Sequence, residues 1–355
     1  MQDSIIAKII LYPFSLLYML GISIRNFLYD ANVIKSTQFT IPIINVGNLA
    51  VGGAGKTPHV EYLIRLLRPY LEVGVLSRGY KRKTKGFRFV IPNESAELSG
   101  DEPKQYAMKF RDTVIAVSES RNTGIPQMLK SYPNIETIIL DDAYQHRSVT
   151  PYLNILLTAY QKVYTRDLLL PAGRLREYAS ASERADRIIV TKCPPEMSPT
   201  DRDRVIKLLD PEDHQRVYFT YYKYYQPYYM YNGGMRLELT PDKEVILMSA
   251  IANTDYLESY LSERCTVLDT IKYEDHHFFT ERDIETIIRI YQEEENKNII
   301  LITTEKDATR LHVHNEVLIK ERIPIFILPI EVAFHFDEKE TFDQDIKDFL
   351  LEFKS

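Results

Sequence analysis

Cysteine and glycine are both scarce in this chain of 355 residues. The two cysteines, Cys193 and Cys265, lie far apart without metal-ligand spacing, which argues against a disulfide framework and favours a reducing, cytosolic location. Lys and Arg number 44 against 50 Asp and Glu, and this net charge of -6 disfavours broad electrostatic binding, so we expect no nucleic-acid partner. With 45% hydrophobic residues the composition is globular, and the length suits about two domains.

The 13 glycines are about half the share that an average protein has. Four of them, Gly47, Gly52, Gly53 and Gly55, nevertheless fall in one short segment. A chain that uses glycine so sparingly and concentrates it in one loop needs special backbone geometry there, or close approach to a ligand.

The N-terminal segment is almost wholly apolar, with Lys8 and Pro13 as its main interruptions. Asp3 and the lack of a basic leader argue against a signal peptide. The uncharged run 9–24 is shorter than the roughly 20 residues that a spanning helix needs. Three interpretations stay open: a helix on a membrane surface, an ordinary buried helix and a membrane span.

Apolar, β-branched runs alternate with helical periods from residue 39 onwards. The pattern predicts buried strands at 39–46, 73–77, 113–118, 137–140, 154–158 and 187–191. Such alternation predicts an α/β fold with a mainly parallel sheet covered by helices on both faces. Ligands of such sheets bind beyond the carboxyl ends of the strands.

A tyrosine-rich stretch, 218–231, is followed by Gly233-Gly234 and predicts a two-stranded linker, with cofactor stacking or lipid contact as the alternative. Further strands are predicted at 244–250, 266–273, 298–303 and 323–330, with helices near 255–263 and 280–294. We therefore predict an apolar N-terminal helix at 1–35, a nucleotide-binding core at 36–217, the linker at 218–240 and a smaller α/β domain at 241–355.

The glycine-rich segment has the parts of a phosphate-binding loop in the right order. A strand runs into the glycines, and Lys56 and Thr57 stand where a helix begins. Ala50 departs from the usual pattern, which has its first glycine there. We expect nucleotide contacts from Asn48, Val51, Gly52, Gly53, Ala54, Gly55, Lys56 and Thr57.

The predicted strand 137–140 ends in Asp141 and Asp142. A carboxylate at that edge can hold the Mg²⁺ of a nucleotide together with the Thr57 hydroxyl, although acidic residues also form solvated turns there. The arginines and acids of three more polar segments are weaker candidates for substrate or phosphate contacts, namely Arg78, Glu102, Arg174, Arg176 and Glu177. Segment 275–277 is either a surface turn or part of a site, and segment 303–307 is either a helix cap or part of a site.

This ordered set of motifs resembles the tetraacyldisaccharide 4′-kinase family. The motifs that carry the resemblance are Gly47-Asn48, Val51-Gly52-Gly53, Gly55-Lys56-Thr57-Pro58, Leu76-Ser77-Arg78-Gly79-Tyr80, Gly100-Asp101-Glu102-Pro103, Leu140-Asp141-Asp142, Gln145-His146, Pro171-Ala172-Gly173, Leu175-Arg176-Glu177, Thr191-Lys192, Ile251-Ala252-Asn253, Asp275-His276-His277 and Thr304-Glu305-Lys306-Asp307. Tyr144 and Arg174 depart from residues that are commoner in the family.

The resemblance implies a P-loop kinase core that uses ATP and Mg²⁺ to phosphorylate the 4′-hydroxyl of an acylated glucosamine disaccharide 1-phosphate in lipid A synthesis. It implies that Lys56 and Thr57 serve the ATP phosphates and the metal, and that Asp141 and Asp142 are the metal-associated pair. Asp101 then matches the general base, with His276 as its partner. The N-terminal helix is expected on the cytoplasmic face of the inner membrane, and no protein partner is expected.

Two other functions remain possible from the sequence. A membrane-surface ATPase switch has a similar loop but generally carries an extra lysine where Val51 stands. A non-catalytic nucleotide-binding scaffold would tolerate loss of Asp101. A GTPase is disfavoured because Thr191 to Pro194 lacks the Asn and Asp of a guanine-reading loop.

Overall fold

The computed structural model describes residues 5–251, 254–293 and 299–354. The strands, numbered in chain order, are β1 (Ile43–Asn48), β2 (Val73–Ser77), β3 (Arg88–Phe89), β4 (Val114–Val117), β5 (Thr137–Asp141), β6 (Leu153–Ala159), β7 (Arg187–Thr191), β8 (Arg216–Tyr224), β9 (Tyr228–Tyr229), β10 (Asn232–Arg236), β11 (Glu244–Ser249), β12 (Thr266–Lys272), β13 (Ile300–Thr304), β14 (Ile325–Leu328) and β15 (Ile330–Phe334). The helices are α1 (Ile5–Asp30), α2 (Lys56–Leu67), α3 (Ala96–Ser99), α4 (Asp101–Lys109), α5 (Arg121–Ser131), α6 (Pro199–Leu209), α7 (Asp255–Ser262), α8 (Glu281–Glu293), α9 (Glu305–Leu311), α10 (Asn315–Lys320) and α11 (Lys339–Leu351).

The larger sheet has the strand order β15-β8-β7-β6-β1-β5-β2-β4-β3 and is parallel except at its two edge pairs. Its central strands β1, β2, β5, β6 and β7 are buried on both faces, as the apolar runs indicated. On one face Ile44 packs with Val60 and Ile64 of α2, and on the other Ile43 belongs to a cluster that includes Ile125 of α5. The predicted mainly parallel sheet between helices is confirmed.

The smaller sheet has the order β10-β9-β14-β13-β11-β12, and its last four strands are parallel. Ile246 of β11 packs towards Ile284 of α8, and Leu247 packs on the opposite face towards Leu257 of α7. A second α/β unit is therefore present, as predicted. We call the two units the nucleotide lobe and the second lobe.

The chain returns to the larger sheet after the second lobe. β15 pairs antiparallel with β8, so the predicted single strand 323–330 is two strands, β14 and β15, which lie in different sheets on either side of Pro329. Proline has no N–H for a ladder and ends β14 there. Residues from Ile330 onwards therefore do not belong to the second lobe, to which the prediction assigned 241–355. The connection that was expected at 218–240 is formed by β8 together with β15.

Asp345 fastens α11 to the nucleotide lobe through two arginines and a tyrosine. Its carboxylate lies 2.5 Å from Arg187 Nε and 2.6 Å from Arg216 Nη1, and it accepts a hydrogen bond from the Tyr218 hydroxyl at 2.9 Å. We expect Asp345→Asn to lower the free energy of unfolding by about 3 kcal/mol, because it leaves the buried Arg187 without its counterion. Urea denaturation measures this, with the exposed Gln344→Ala on the same helix as the control. Equal stability of the two variants would contradict the assignment.

Helix α1 lies on the surface with most of its apolar side chains exposed. Ile9, Leu17 and Phe27 are 68%, 70% and 67% exposed, whereas Ser15 is buried and bonds to the backbone of Leu169 and Ala172. By length and composition, Lys8–Asp30 is also the one described helix that could cross a membrane. The structure thus does not support an ordinary buried helix.

Candidate active site

The glycine-rich loop lies at the carboxyl end of β1, and α2 begins at Lys56. Gly55 has a φ of 86°, and a Cβ there would lie 2.6 Å from the Tyr222 hydroxyl, so both backbone conformation and space require glycine. Lys56 Nζ donates to Asn48 Oδ1 at 3.1 Å and lies 3.6 Å from Asp142 Oδ1. The lysine is therefore held over the loop by two predicted site residues.

A cleft of about 1080 Å³ opens beyond this loop between the two lobes. The nucleotide lobe contributes the loop, Arg78, Glu102 and Arg176, and the second lobe contributes Asp275, His276 and Lys306. Helix α1 contributes Tyr18, Ile22 and Arg25. The cleft thus joins the phosphate loop, the second lobe and the exposed N-terminal helix in one space.

Asp141 ends β5 next to the loop and is buried. Ser77 Oγ donates to its Oδ2 at 3.1 Å, but its buried Oδ1 has no hydrogen-bond partner among the described residues. Burial raises the pKa of Asp141 to about 7, Glu102 and Asp142 act in the same direction, and Lys56 opposes them. A divalent cation would bind to such an unpartnered carboxylate oxygen and would offset the repulsion between the neighbouring carboxylates.

Asp142 follows with a φ of 50° and turns its carboxylate towards the loop lysine. Burial opposes ionisation, but Lys56 and Arg176, the latter at 3.1 Å, hold the pKa of Asp142 below its ordinary value. No group of three or more His, Cys, Asp or Glu side chains forms a metal cage in the described ranges. Mg²⁺ usually takes one or two carboxylates together with substrate phosphates, so Thr57, Asp141 and Asp142 fit Mg²⁺.

Asp101 begins α4 and meets His276 of the second lobe. Asp101 Oδ2 lies 2.9 Å from His276 Nδ1, and its Oδ1 accepts the Glu102 N–H at 3.0 Å. His276 lines the cleft, whereas Asp101 is only 2% exposed and lies behind the imidazole. The partners indicate the tautomer in which Nδ1 carries the proton, which leaves the Nε2 lone pair towards Lys306 at 3.2 Å.

Two cations of α9, Lys306 and Arg310, surround this pair. Lys306 lies in segment 303–307, which the sequence left open as a helix cap or part of a site, whereas Arg310 was not predicted. Lys306 Nζ and Arg310 Nη1 lie 3.6 Å and 3.7 Å from Asp101 Oδ2. Burial opposes ionisation, but Lys306, His276 and Arg310 hold the pKa of Asp101 well below its usual range. The sequence did indicate that Lys306 and Arg310 lie on one face of a helix, because they are four residues apart. Their partner, however, lies some two hundred positions away in sequence.

The weaker candidates divide into two groups. Arg78, Glu102, Arg176 and Glu177 line the cleft, and Glu177 is buried against Arg184 at 2.9 Å. The structure does not bring the Arg174 side chain there, because it pairs with Asp167 at 2.8 Å in a separate depression. Only its carbonyl reaches the loop, where it accepts the Val51 N–H. In the 251–253 motif, residues 252 and 253 lie outside the described ranges.

Comparisons with known proteins indicate the same family over nearly the whole chain. The family model described as Tetraacyldisaccharide-1-P 4'-kinase matches residues 7–351. The tetraacyldisaccharide 4'-kinase of Phocaeicola vulgatus is 43% identical over 347 residues, which are 96% of this chain and 94% of that protein. The enzyme of the same name from Flavobacterium psychrophilum is 41% identical over 345 residues, 96% of each chain.

A solved structure shows the same architecture. The crystal structure of the "apo" form of LpxK from Aquifex aeolicus in complex with ATP superposes with a TM-score of 0.75 at 28% identity. It covers 97% of this chain and 99% of that one, so both lobes and the connection between them are shared. With a family match and relatives that extend over nearly its whole length, this chain belongs to the tetraacyldisaccharide-1-phosphate 4′-kinase family, phosphotransferases that act on a hydroxyl group.

Proposed function

We propose that this protein transfers the γ-phosphate of ATP to the 4′-hydroxyl of a tetraacylated glucosamine disaccharide 1-phosphate. The observation that carries the proposal is that Lys56 of the phosphate loop and His276 of the second lobe line the same cleft. A kinase needs a proton acceptor opposite its phosphate loop for the attacking hydroxyl. An ATPase switch without a lipid acceptor has no use for that arrangement, and family membership does not favour it.

The nucleotide lobe supplies the electrostatic part of the reaction. Phosphoryl transfer depends mostly on positioning and on neutralising charge on the moving group. The N–H groups of the loop and the Lys56 ammonium are suited to bind the β- and γ-phosphates at the start of α2. Thr57, Asp141 and Asp142 would hold Mg²⁺, which supplies positive charge to the phosphate oxygens when bound.

The Asp101–His276 pair supplies the proton acceptor. Because His276 lines the cleft and Asp101 lies behind it, the acceptor hydroxyl meets the imidazole first. Asp101 accepts a hydrogen bond from the Nδ1–H group and stabilises the imidazolium that forms. This order reverses the roles that the resemblance implied, in which Asp101 is the base and His276 its partner. The hydroxyl would take the place that Lys306 now occupies at Nε2.

Helix α1 suits a substrate whose acyl chains stay in a bilayer. Tyr18 and Arg25 line the cleft, while the outward face of the same helix exposes Ile9, Leu17 and Phe27. An exposed apolar helix face binds in the boundary between headgroups and acyl chains. We propose, with the family resemblance, that the protein lies on the cytoplasmic face of the inner membrane with the mouth of the cleft beside the lipid.

Charges on this face should weaken membrane binding. We expect the double variant Ile9→Glu, Leu17→Glu to lower binding to phospholipid vesicles by at least about tenfold, because each buried side chain contributes roughly 1.5 kcal/mol or more. Cosedimentation with vesicles measures the change, and ATP binding should stay as in the wild type. The control is Val313→Glu, which changes an exposed apolar residue of the second lobe. Unchanged partitioning of the double variant would remove the anchor.

The activity itself is tested with purified protein, Mg-ATP and a panel of phosphorylated, acylated glucosamine disaccharides. Lipid product and free phosphate are followed together. The proposal expects phosphate on the 4′-oxygen of the acylated acceptor and little free phosphate without it. Rapid hydrolysis of ATP that no acceptor changes would instead support the ATPase switch.

A further inference from the structure

A second set of charged contacts joins the two lobes, apart from the Asp101–His276 pair. Lys109, the last residue of α4, places Nζ 2.6 Å from Glu61 Oε2 and 2.7 Å from Glu305 Oε1. Glu61 belongs to α2 of the nucleotide lobe, and Glu305 begins α9 of the second lobe. The two glutamate side chains are only 1% and 8% exposed. We call these three side chains the interlobe bridge.

The bridge is asymmetric between the lobes. Glu61 has other partners in its own lobe, since Gln105 donates to its Oε1 at 2.8 Å and Arg65 lies 3.3 Å from its Oε2. For Glu305, Lys109 is the only cation within ion-pair distance in the described part of the chain. Burial and the charge of Glu61 raise the pKa of Glu305 to about 7, and Lys109 opposes them. Without the lysine, two buried carboxylates would face each other across the lobes.

The Asp101–His276 pair and the interlobe bridge lie at opposite ends of α4, which begins at Asp101 and ends at Lys109. Lys306 lies 3.6 Å from Asp101 and 3.4 Å from Glu102 in the first turn of α4. Its neighbour Glu305 holds Lys109, where α4 ends. Contacts at both ends of α4 fix the direction of α9 relative to it. Without the bridge, the ion pairs of Lys306 and Arg310 would hold α9 only where α4 begins.

We propose that Lys109, held between Glu61 and Glu305, is a positioning residue that locks the second lobe in the orientation in which His276 and Lys306 meet Asp101. Lys109 acts through α9 and touches no reacting group. The inference rests on the proposed function of the cleft and adds a determinant of lobe orientation to it. It also makes Glu305, the neighbour of Lys306, a part of the same mechanism.

A double-mutant cycle tests the bridge. We expect Lys109→Met and Glu305→Gln each to lower kcat about tenfold, the order expected for coupling between two sites, with the KM for ATP nearly unchanged. The double variant should lose no more than Lys109→Met alone, because both changes break one contact. Lys109→Arg keeps the charge and should retain most of kcat. Lys130→Met, an exposed lysine of α5, is the matched control.

A readout without turnover accompanies the kinetics. Hydrogen–deuterium exchange in α4 and α9 should be faster in Lys109→Met and Glu305→Gln, while exchange in α6 stays as in the wild type. Losses of kcat that multiply in the double variant, or a folded Glu305→Gln with wild-type kcat and exchange, would overturn the bridge. If Lys109→Met does not fold, Glu305→Gln alone decides. A wild type that phosphorylates no acceptor defeats the proposed function instead, and the exchange data still test the bridge.

Discussion

Lys56→Ala is expected to lower phosphate transfer by about 10³-fold or more, since it removes the one cation of the glycine-rich loop, which we propose binds the β- and γ-phosphates. The change also removes the charge that lies 3.6 Å from Asp142 and that opposes the raised pKa of Asp141. Protonation of Asp141 would then compete with Mg²⁺ at neutral pH. The variant is therefore expected to lose phosphate binding and part of the proposed metal site together.

Transfer of labelled phosphate from ATP to the acylated acceptor measures the effect of Lys56→Ala. Thermal unfolding shows whether the variant folds, and Lys130→Ala, an exposed lysine of α5, is the control. The expected outcome is a folded protein that binds Mg-ATP weakly and forms no detectable product. Full activity in a folded Lys56→Ala protein would mean that the glycine-rich loop does not serve the nucleotide.

His276→Ala and Asp101→Asn should each lower kcat by about 10²- to 10⁴-fold, the usual contribution of a positioned general base. Removing the imidazole leaves the acceptor hydroxyl without a group to take its proton. Asp101→Asn leaves the imidazole in place but removes the charge that stabilises its protonated form. Because the two side chains act as a unit, the double variant should lose little more than His276→Ala.

The neighbouring His277→Ala is the matched control for this pair. His277 pairs with Asp283 at 2.8 Å and stacks on Tyr273, so its loss should change kcat only slightly. Initial rates at saturating ATP and acceptor give the comparison. Near-normal lipid phosphorylation by folded His276→Ala and Asp101→Asn would show that the pair takes no proton. A larger loss in Asp101→Asn than in His276→Ala would return the role of base to Asp101.

Local sequence patterns were sufficient for much of the fold. Strands 73–77 and 187–191 were predicted with the bounds that the structure has, because both are apolar runs buried on both faces. The pairing of β15 with β8 was not predictable in this way, because a strand's pattern of side chains does not name its neighbour. What decides it is long-range packing, in which Phe334 and Phe342 gather around Tyr218 at 6.3 and 4.9 Å.

Part of the candidate site was likewise predictable from local sequence, and part was not. The phosphate loop is contiguous in sequence, so its spacing alone predicted Lys56 and Thr57 as site residues. The surroundings of Asp101 come from α9, and Arg310 carries no motif of its own. The position of Arg174 was also beyond local pattern, because only folding shows that Asp167 draws its side chain away from the cleft.

The return of the chain to its first sheet makes the nucleotide lobe a discontinuous unit, with the second lobe inserted between β8 and β15. During synthesis, the phosphate loop leaves the ribosome long before the strand that covers the free edge of β8. Until β15 arrives, that edge presents unpaired N–H and C=O groups that can recruit other strands. Assembly of the nucleotide lobe is therefore completed only after the second lobe has been made.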